Sequence, residues 1–297
     1  RRWALALTLS GALMGCGSLP QSSAPQSLEI DALKWIGDTA DPLAHLLTEP
    51  ASCVGDNDKA AVKRGELLFE SPLLLGGQAA KVGLSCAACH RNGRDNPDFF
   101  LVGISGAPGT ADVTNGFFSK QRADDDFNPV PIPDLASVGG RARVDRMETG
   151  RLEKFLAAQV VEEFEGQTPH QMIVDDLAAY IRALDHSNCN PDQTRSQSWR
   201  DELELLRAGA RHINEDASPA HDAYIDAMRA ALGRLSARFQ STESEPIREY
   251  LVTLSRQLQD YPDMTVTDRE LKTLEDQLLF LEPYSFYQRE TLAAALR

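Results

Sequence analysis

The residues best suited to chemistry stand together at Cys86-Ala87-Ala88-Cys89-His90. Two thiols three residues apart lie one helical turn from each other along one edge, and the imidazole follows at once. This is the C-x-x-C-H spacing in which both thiols form thioethers to the vinyl groups of a porphyrin while the His binds its iron from one face. The chain has 5 Cys and 6 His in 297 residues, which gives roughly 0.002 chance occurrences of the pattern. A zinc half-site or a thioredoxin-like redox pair would need a second Cys pair or a preceding βαβ unit, and the sequence offers neither. The expected cofactor is one covalent haem c, held by Cys86 and Cys89, with His90 as the proximal iron ligand.

A haem that only relays electrons needs a second axial ligand, usually Met, whereas an open face admits peroxide. Met14 precedes the body of the chain, and Met228 and Met264 lie far downstream. Met147 follows the haem loop and is the expected distal ligand. Met172, one of His170 and His186, or no protein ligand at all are the alternatives. Arg141, Arg143, Arg146 and Arg151 surround Met147, and one of them could pair with a haem propionate; a solvated turn is the equal alternative.

Two helices must position the motif. Residues 58–71 have helical character and place Gly65 and Phe69 on one face. Pro169 to Leu184 carries Ile173, Leu177, Tyr180, Ile181 and Leu184 at helical spacing, with Thr168 as the expected N-cap. Between them, residues 91–140 are dense in Gly, Pro, Asn and Asp and read as a loop wrapped around a cofactor. Asp124-Asp125-Asp126 within it lacks the alternating spacing of a calcium site.

The bracketing helices resemble the N- and C-terminal helices of class I cytochromes c, which implies a close crossing at Gly65 filled by an aromatic pair. Residues 53–190 resemble the cytochrome c domains related to bacterial di-haem cytochrome c peroxidases and MauG-type proteins. The similar stretches are Gly65 to Gly77, the haem motif, Pro131 to Gly140, and Gly150 to Phe164. Those enzymes carry two haem motifs and this chain carries one, a departure from their pattern from which a mono-haem protein is expected.

Arg1 and Arg2 followed by the apolar stretch Trp3 to Met14 have the form of an export signal too short to span a bilayer. Its end, Leu13-Met14-Gly15-Cys16, resembles the lipobox of bacterial lipoproteins, which implies cleavage after residue 15 and a lipid on Cys16. Gly17 to Ser27 is a Ser-, Pro- and Gln-rich tether, and residues 28–50 suggest short helical pieces. The protein is thus expected at the periplasmic face of a bacterial membrane, the outer membrane before the inner. With those cysteines assigned, Cys53 and Cys189 remain; in an oxidising compartment they are expected to form a disulfide, two free thiols being the alternative.

From Ser196 onward amphipathic patterns follow one another and predict a bundle of four or five helices. Starts are expected at Ser218-Pro219 and at two capping boxes, Thr242 with Glu245 and Thr267 with Glu270. His212 and His221 are expected as solvated surface residues rather than metal ligands, since no paired ligand motif accompanies them. The expected fold class is all-α, divided into a signal (1–15), a tether with short helices (16–52), a haem domain (53–190) and a bundle of unassigned role (196–297).

The composition, 42% hydrophobic and 25% charged, excludes a disordered chain and a polytopic membrane protein. Formal charge is −14, falling to −16 if Arg1 and Arg2 are removed. Nucleic acid is therefore excluded as a partner, and a redox protein with a basic docking face is favoured. The expected function is single-electron transfer; a peroxidase- or oxidase-like enzyme and a haem-stabilised binding module are the alternatives.

Overall fold

The computed structural model describes residues 41–55, 60–145, 147, 150–215, 219–261 and 266–296. The expected signal, Cys16, the tether, Arg146 and the start at Ser218 lie outside the described residues. The described chain is mostly helical, which places it in the all-α class.

Helix α1 (Pro42–Leu47), capped by the Asp41 carboxylate on Ala44 N at 3.0 Å, leads into β1 (Thr48–Pro50). Helix α2 (Ala60–Phe69) is followed by the short α3 (Gly77–Lys81) and the single turn α4 (Cys86–Cys89). The loop beyond it holds one small ladder, β2 (Thr110–Ala111) against β3 (Val130–Pro131), with Thr110 opposite Pro131. Next come α5 (Val138–Asp145), α6 (Arg151–Ala158) running on as a π turn, and α7 (Gln171–Ala183). Strand β4 (Thr194–Ser196) returns antiparallel to β1, pairing Glu49 with Arg195. Four long helices follow, α8 (Trp199–Glu215), α9 (His221–Arg238), α10 (Glu245–Gln259) and α11 (Asp268–Leu281), before the short α12 (Arg289–Ala295).

The crossing of α2 and α7 organises the molecule. A Cβ on Gly65 would lie 2.0 Å from the Asp176 carbonyl oxygen and 2.8 Å from Tyr180 Cβ, so only glycine permits so close an approach. One turn on, the rings of Phe69 and Tyr180 meet at 5.1 Å. Arg64 donates to both oxygens of the buried Asp176 carboxylate at 2.6 and 2.8 Å, and the Tyr224 hydroxyl donates at 2.7 Å. Three donors satisfy a carboxylate that would otherwise be costly to bury, and they tie α2, α7 and α9 together.

The bundle's apolar stripes are buried as their spacing predicts, including Leu203 and Leu206 on α8, Met228 and Leu235 on α9, Leu254 on α10 and Leu274 on α11. The boundary expected near residue 190 is crossed by one apolar cluster, which runs from Leu67, Leu177 and Tyr180 into Leu203, Tyr224 and Met228.

Several local expectations are corrected. Helix α7 starts at Gln171, and His170 rather than Thr168 caps it, Nδ1 accepting from Met172 N at 3.3 Å. The Thr267–Glu270 capping box is present. At Thr242 the chain instead makes a 3₁₀ turn, and α10 begins at Glu245 behind Ser244, which makes no side-chain cap. His212 and His221 are each only 5% exposed; they sit in an aromatic group, His212 at 4.4 Å from the Tyr224 ring and His221 at 5.2 Å from Tyr261.

Candidate functional site

Extended backbone at Ser85 gives way to the one turn of α4, closed by His90 N donating to Cys86 O at 2.8 Å. Cys86 and Cys89 therefore stand one turn apart and the His90 side chain leaves where the turn ends. Asn96 fixes the following loop by donating to Ala88 O at 2.8 Å. Both thiols are free and pack against a second apolar cluster that includes Leu75, Phe99, Ile104, Phe118, Ile132 and Val160. Burial pushes each thiol up to about 12. Neutral thiols in apolar walls lack the lowered pKa of a redox-active cysteine pair or a ready thiolate ligand.

His90 Nδ1 lies 3.0 Å from the Pro133 carbonyl oxygen. With a carbonyl as partner, Nδ1 carries the proton and Nε2 keeps its lone pair, the tautomer that can bind a metal. Burial lowers the imidazole's pKa, which also favours the neutral ring. The Phe69 ring sits 6.4 Å from that of His90, so the aromatic pair at the α2/α7 crossing reaches the imidazole.

Pro133 is held through its neighbour. One oxygen of Asp134 accepts from Ala136 N at 2.9 Å and Ser137 N at 3.2 Å. The other lies 2.7 Å from Arg94 Nε and 3.0 Å from His186 Nε2. Sequence reasoning marked the stretch from Pro131 to Gly140 but gave no role to Pro133, Asp134 or Arg94. The acceptor on His90 is a backbone oxygen, which any residue type could supply.

Of the candidate distal ligands, Met147 is half-buried and packs against the larger cluster alongside Val144 and Phe155, its N donating to Val144 O at 3.0 Å. Met172 packs against the same cluster. His170 and His186 have the capping and Asp134 roles given above. The group the structure assembles is Cys86, Cys89 and His90 with Pro133, Asp134 and Phe69, and Met147 is placed by its packing alone. Of the arginines near Met147, Arg143 lies 4.9 Å over the Phe155 ring and within electrostatic reach of the buried Glu163, while Arg151 is exposed.

Cys53 and Cys189 are joined as a disulfide with their Cα atoms 4.9 Å apart. The β1/β4 pairing and the Val54–Leu184 bridge lie beside it, so the segment entering α2 is fastened to the segment leaving α7.

Two neutral thiols one turn apart, an imidazole whose Nδ1 faces a carbonyl, and apolar walls fit a covalently held iron porphyrin. They do not fit a bare metal ion, and among the described residues no group of three or more His, Cys, Asp or Glu side chains could hold one. Among those residues, too, no helix is long and apolar enough to cross a membrane. Comparison with protein-family models, with curated proteins and with solved structures returns no match.

Proposed function

We propose that the protein carries one haem c on Cys86 and Cys89, with His90 as proximal ligand, and passes single electrons between redox partners. The observation that carries this reading is the His90 Nδ1 contact with Pro133 O at 3.0 Å beside two half-buried thiols at C-x-x-C-H spacing. When bound, the haem supplies an iron centre that gains and loses one electron at a time. The chain's own residues do the rest. Cys86 and Cys89 fix the porphyrin edge, and Pro133, steadied by Asp134, orients the imidazole and holds its Nδ1 proton. The apolar cluster around the thiols keeps water away, which tunes the potential of such a centre.

In this reading residues 53–190 form a class I-like cytochrome c domain of the di-haem peroxidase-related group, reduced to one haem, with Met147 as distal ligand. Cleavage before Cys16 and lipid on that residue would hold the domain at the periplasmic face of a bacterial membrane, where a basic partner docks on an acidic protein.

Optical spectra of the purified chain in both oxidation states test this function. The expected result is a low-spin spectrum with a Met-to-iron charge-transfer band that disappears in Met147→Ala. A five-coordinate ferric spectrum with turnover of hydrogen peroxide would replace it with the peroxidase-like alternative.

A further inference from the structure

A cavity of about 440 Å³ lies between α4 and the helical bundle. Ala87 and Ala88, the two middle residues of the haem motif, form part of one wall, and α8 and α9 form another. Its size is at the small end of ligand pockets, which run from ~300 to ~1,000 Å³. Four arginines line it. Arg195 pairs with Glu49 at 2.6 Å and Asp201 at 2.9 Å, and Arg234 pairs with Glu70 and Glu202, each at 2.7 Å.

Arg91 and Arg238 differ. Among the described residues neither has an ion-paired carboxylate. Arg91 donates to Thr48 O at 2.7 Å, while Arg238 donates to the Gln197 side-chain oxygen and lies 5.5 Å from the centre of the Tyr287 ring. Both are half-buried, and each is close enough to feel the other's charge. Two guanidinium groups left with unused N–H donors on facing sides of one cavity suit a shared anion, which would accept from both forks and remove their mutual repulsion. The acidic residues of the lining are themselves engaged. Asp201 and Glu202 face Arg195 and Arg234, Glu66 faces Lys63 at 3.0 Å, and Glu49, paired with Arg195, also lies within electrostatic reach of Arg91. Burial and the neighbouring Glu202 push the Glu70 carboxyl up, to about 8, against the pull of Arg234.

We propose that this cavity binds a small oxyanion, a carboxylate or a phosphate, gripped between Arg91 and Arg238. The site is built by the haem-motif segment and the bundle jointly, which gives the bundle a role in ligand recognition. It stands whether or not the haem reading holds, because its walls and cations belong to the polypeptide.

Isothermal titration calorimetry of the full chain at low salt, with inorganic phosphate, succinate and citrate as separate probes, tests it and distinguishes the two anion chemistries. The expected result is saturable one-to-one binding of at least one probe, weakened at least 10-fold in Arg238→Gln, as loss of a charged fork implies. Arg238→Lys keeps the charge without the fork and should weaken binding by a smaller factor; it decides the matter if the Gln variant does not fold. Lys272→Gln, on the exposed face of α11, should bind as the unaltered chain does. Absence of saturable binding by all three probes at millimolar concentration overturns the proposal, as does unchanged affinity in a folded Arg238 variant.

Discussion

The α2/α7 crossing makes a prediction in which one substitution has opposite signs at two sites. In a helix, Gly→Ala is stabilising by about 0.5–1 kcal/mol when nothing obstructs the new methyl. At Gly233, on the exposed side of α9, an added Cβ meets nothing within 4 Å, so Gly233→Ala should gain about that amount. At Gly65 the same methyl would lie 2.0 Å from the Asp176 carbonyl oxygen and 2.7 Å from its carbonyl carbon. Those atoms are backbone and cannot rotate away, so α7 must retreat by roughly 1 Å to restore ordinary contact. Overpacking of this kind costs about 1–3 kcal/mol. The retreat also pulls Asp176 from Arg64 and Tyr224, so a net loss of about 2–4 kcal/mol is expected for Gly65→Ala. Urea unfolding followed by far-UV circular dichroism reads both values as midpoint shifts at constant slope. A Gly65→Ala chain as stable as the unaltered one, or shifted in the same direction as Gly233→Ala, would refute the packing argument.

Three further outcomes follow from particular contacts. The Cys53–Cys189 bond closes a separation of 136 residues, so removing it by Cys53→Ser with Cys189→Ser should cost about 5 kcal/mol on the chain-entropy account; an unfolding midpoint that ignores the change contradicts it. Asp176→Asn leaves the Arg64 guanidinium without its carboxylate and should cost about 3 kcal/mol, against about 1 kcal/mol for Tyr224→Phe; equal losses in the same urea titration would be inconsistent with the Arg64 contact as the larger contribution. Glu70 is held up to about 8 in the folded chain against 4.5 for an ordinary Glu. Its contribution to stability is complete below about pH 4.5 and is lost as pH rises through about 8. Glu70→Gln should therefore flatten the decline in stability between those limits, and an unchanged pH slope in chemical denaturation would exclude that assignment.

What could be read in the sequence was whatever a side chain announces locally. Spacing puts Gly65 and Phe69 on one helical face and Tyr180 on the stripe of another helix, while their meeting was implied only by the resemblance to class I cytochromes c; the bundle's leucine stripes marked its buried side. The Thr267 box formed as the pattern implies, Thr267 N donating to the Glu270 carboxylate and Glu270 N to the Thr267 hydroxyl. The same pattern at Thr242 did not form a cap, because the chain there tightens into a 3₁₀ turn and the helix starts one residue after Ser244. The burial of His212 and His221 was hidden because Tyr224 and Tyr261 reach them from other parts of the bundle. The candidate site was legible in Cys86, Cys89 and His90 and not in its supports. A carbonyl such as that of Pro133 has no residue signature, and the arginine-lined cavity draws on residues from Glu49 to Tyr287.

The central claim is covalent haem on this chain's own thiols. Intact-protein mass spectrometry with thiol alkylation, on full chain matured in a bacterial host that attaches haem outside the cytoplasm, tests it most directly. The account predicts the mass of the polypeptide plus one haem, with Cys86 and Cys89 closed to alkylation, and loss of the haem mass when both are replaced, Cys86→Ser with Cys89→Ser. A haem-free mass with both thiols open to alkylation would contradict it.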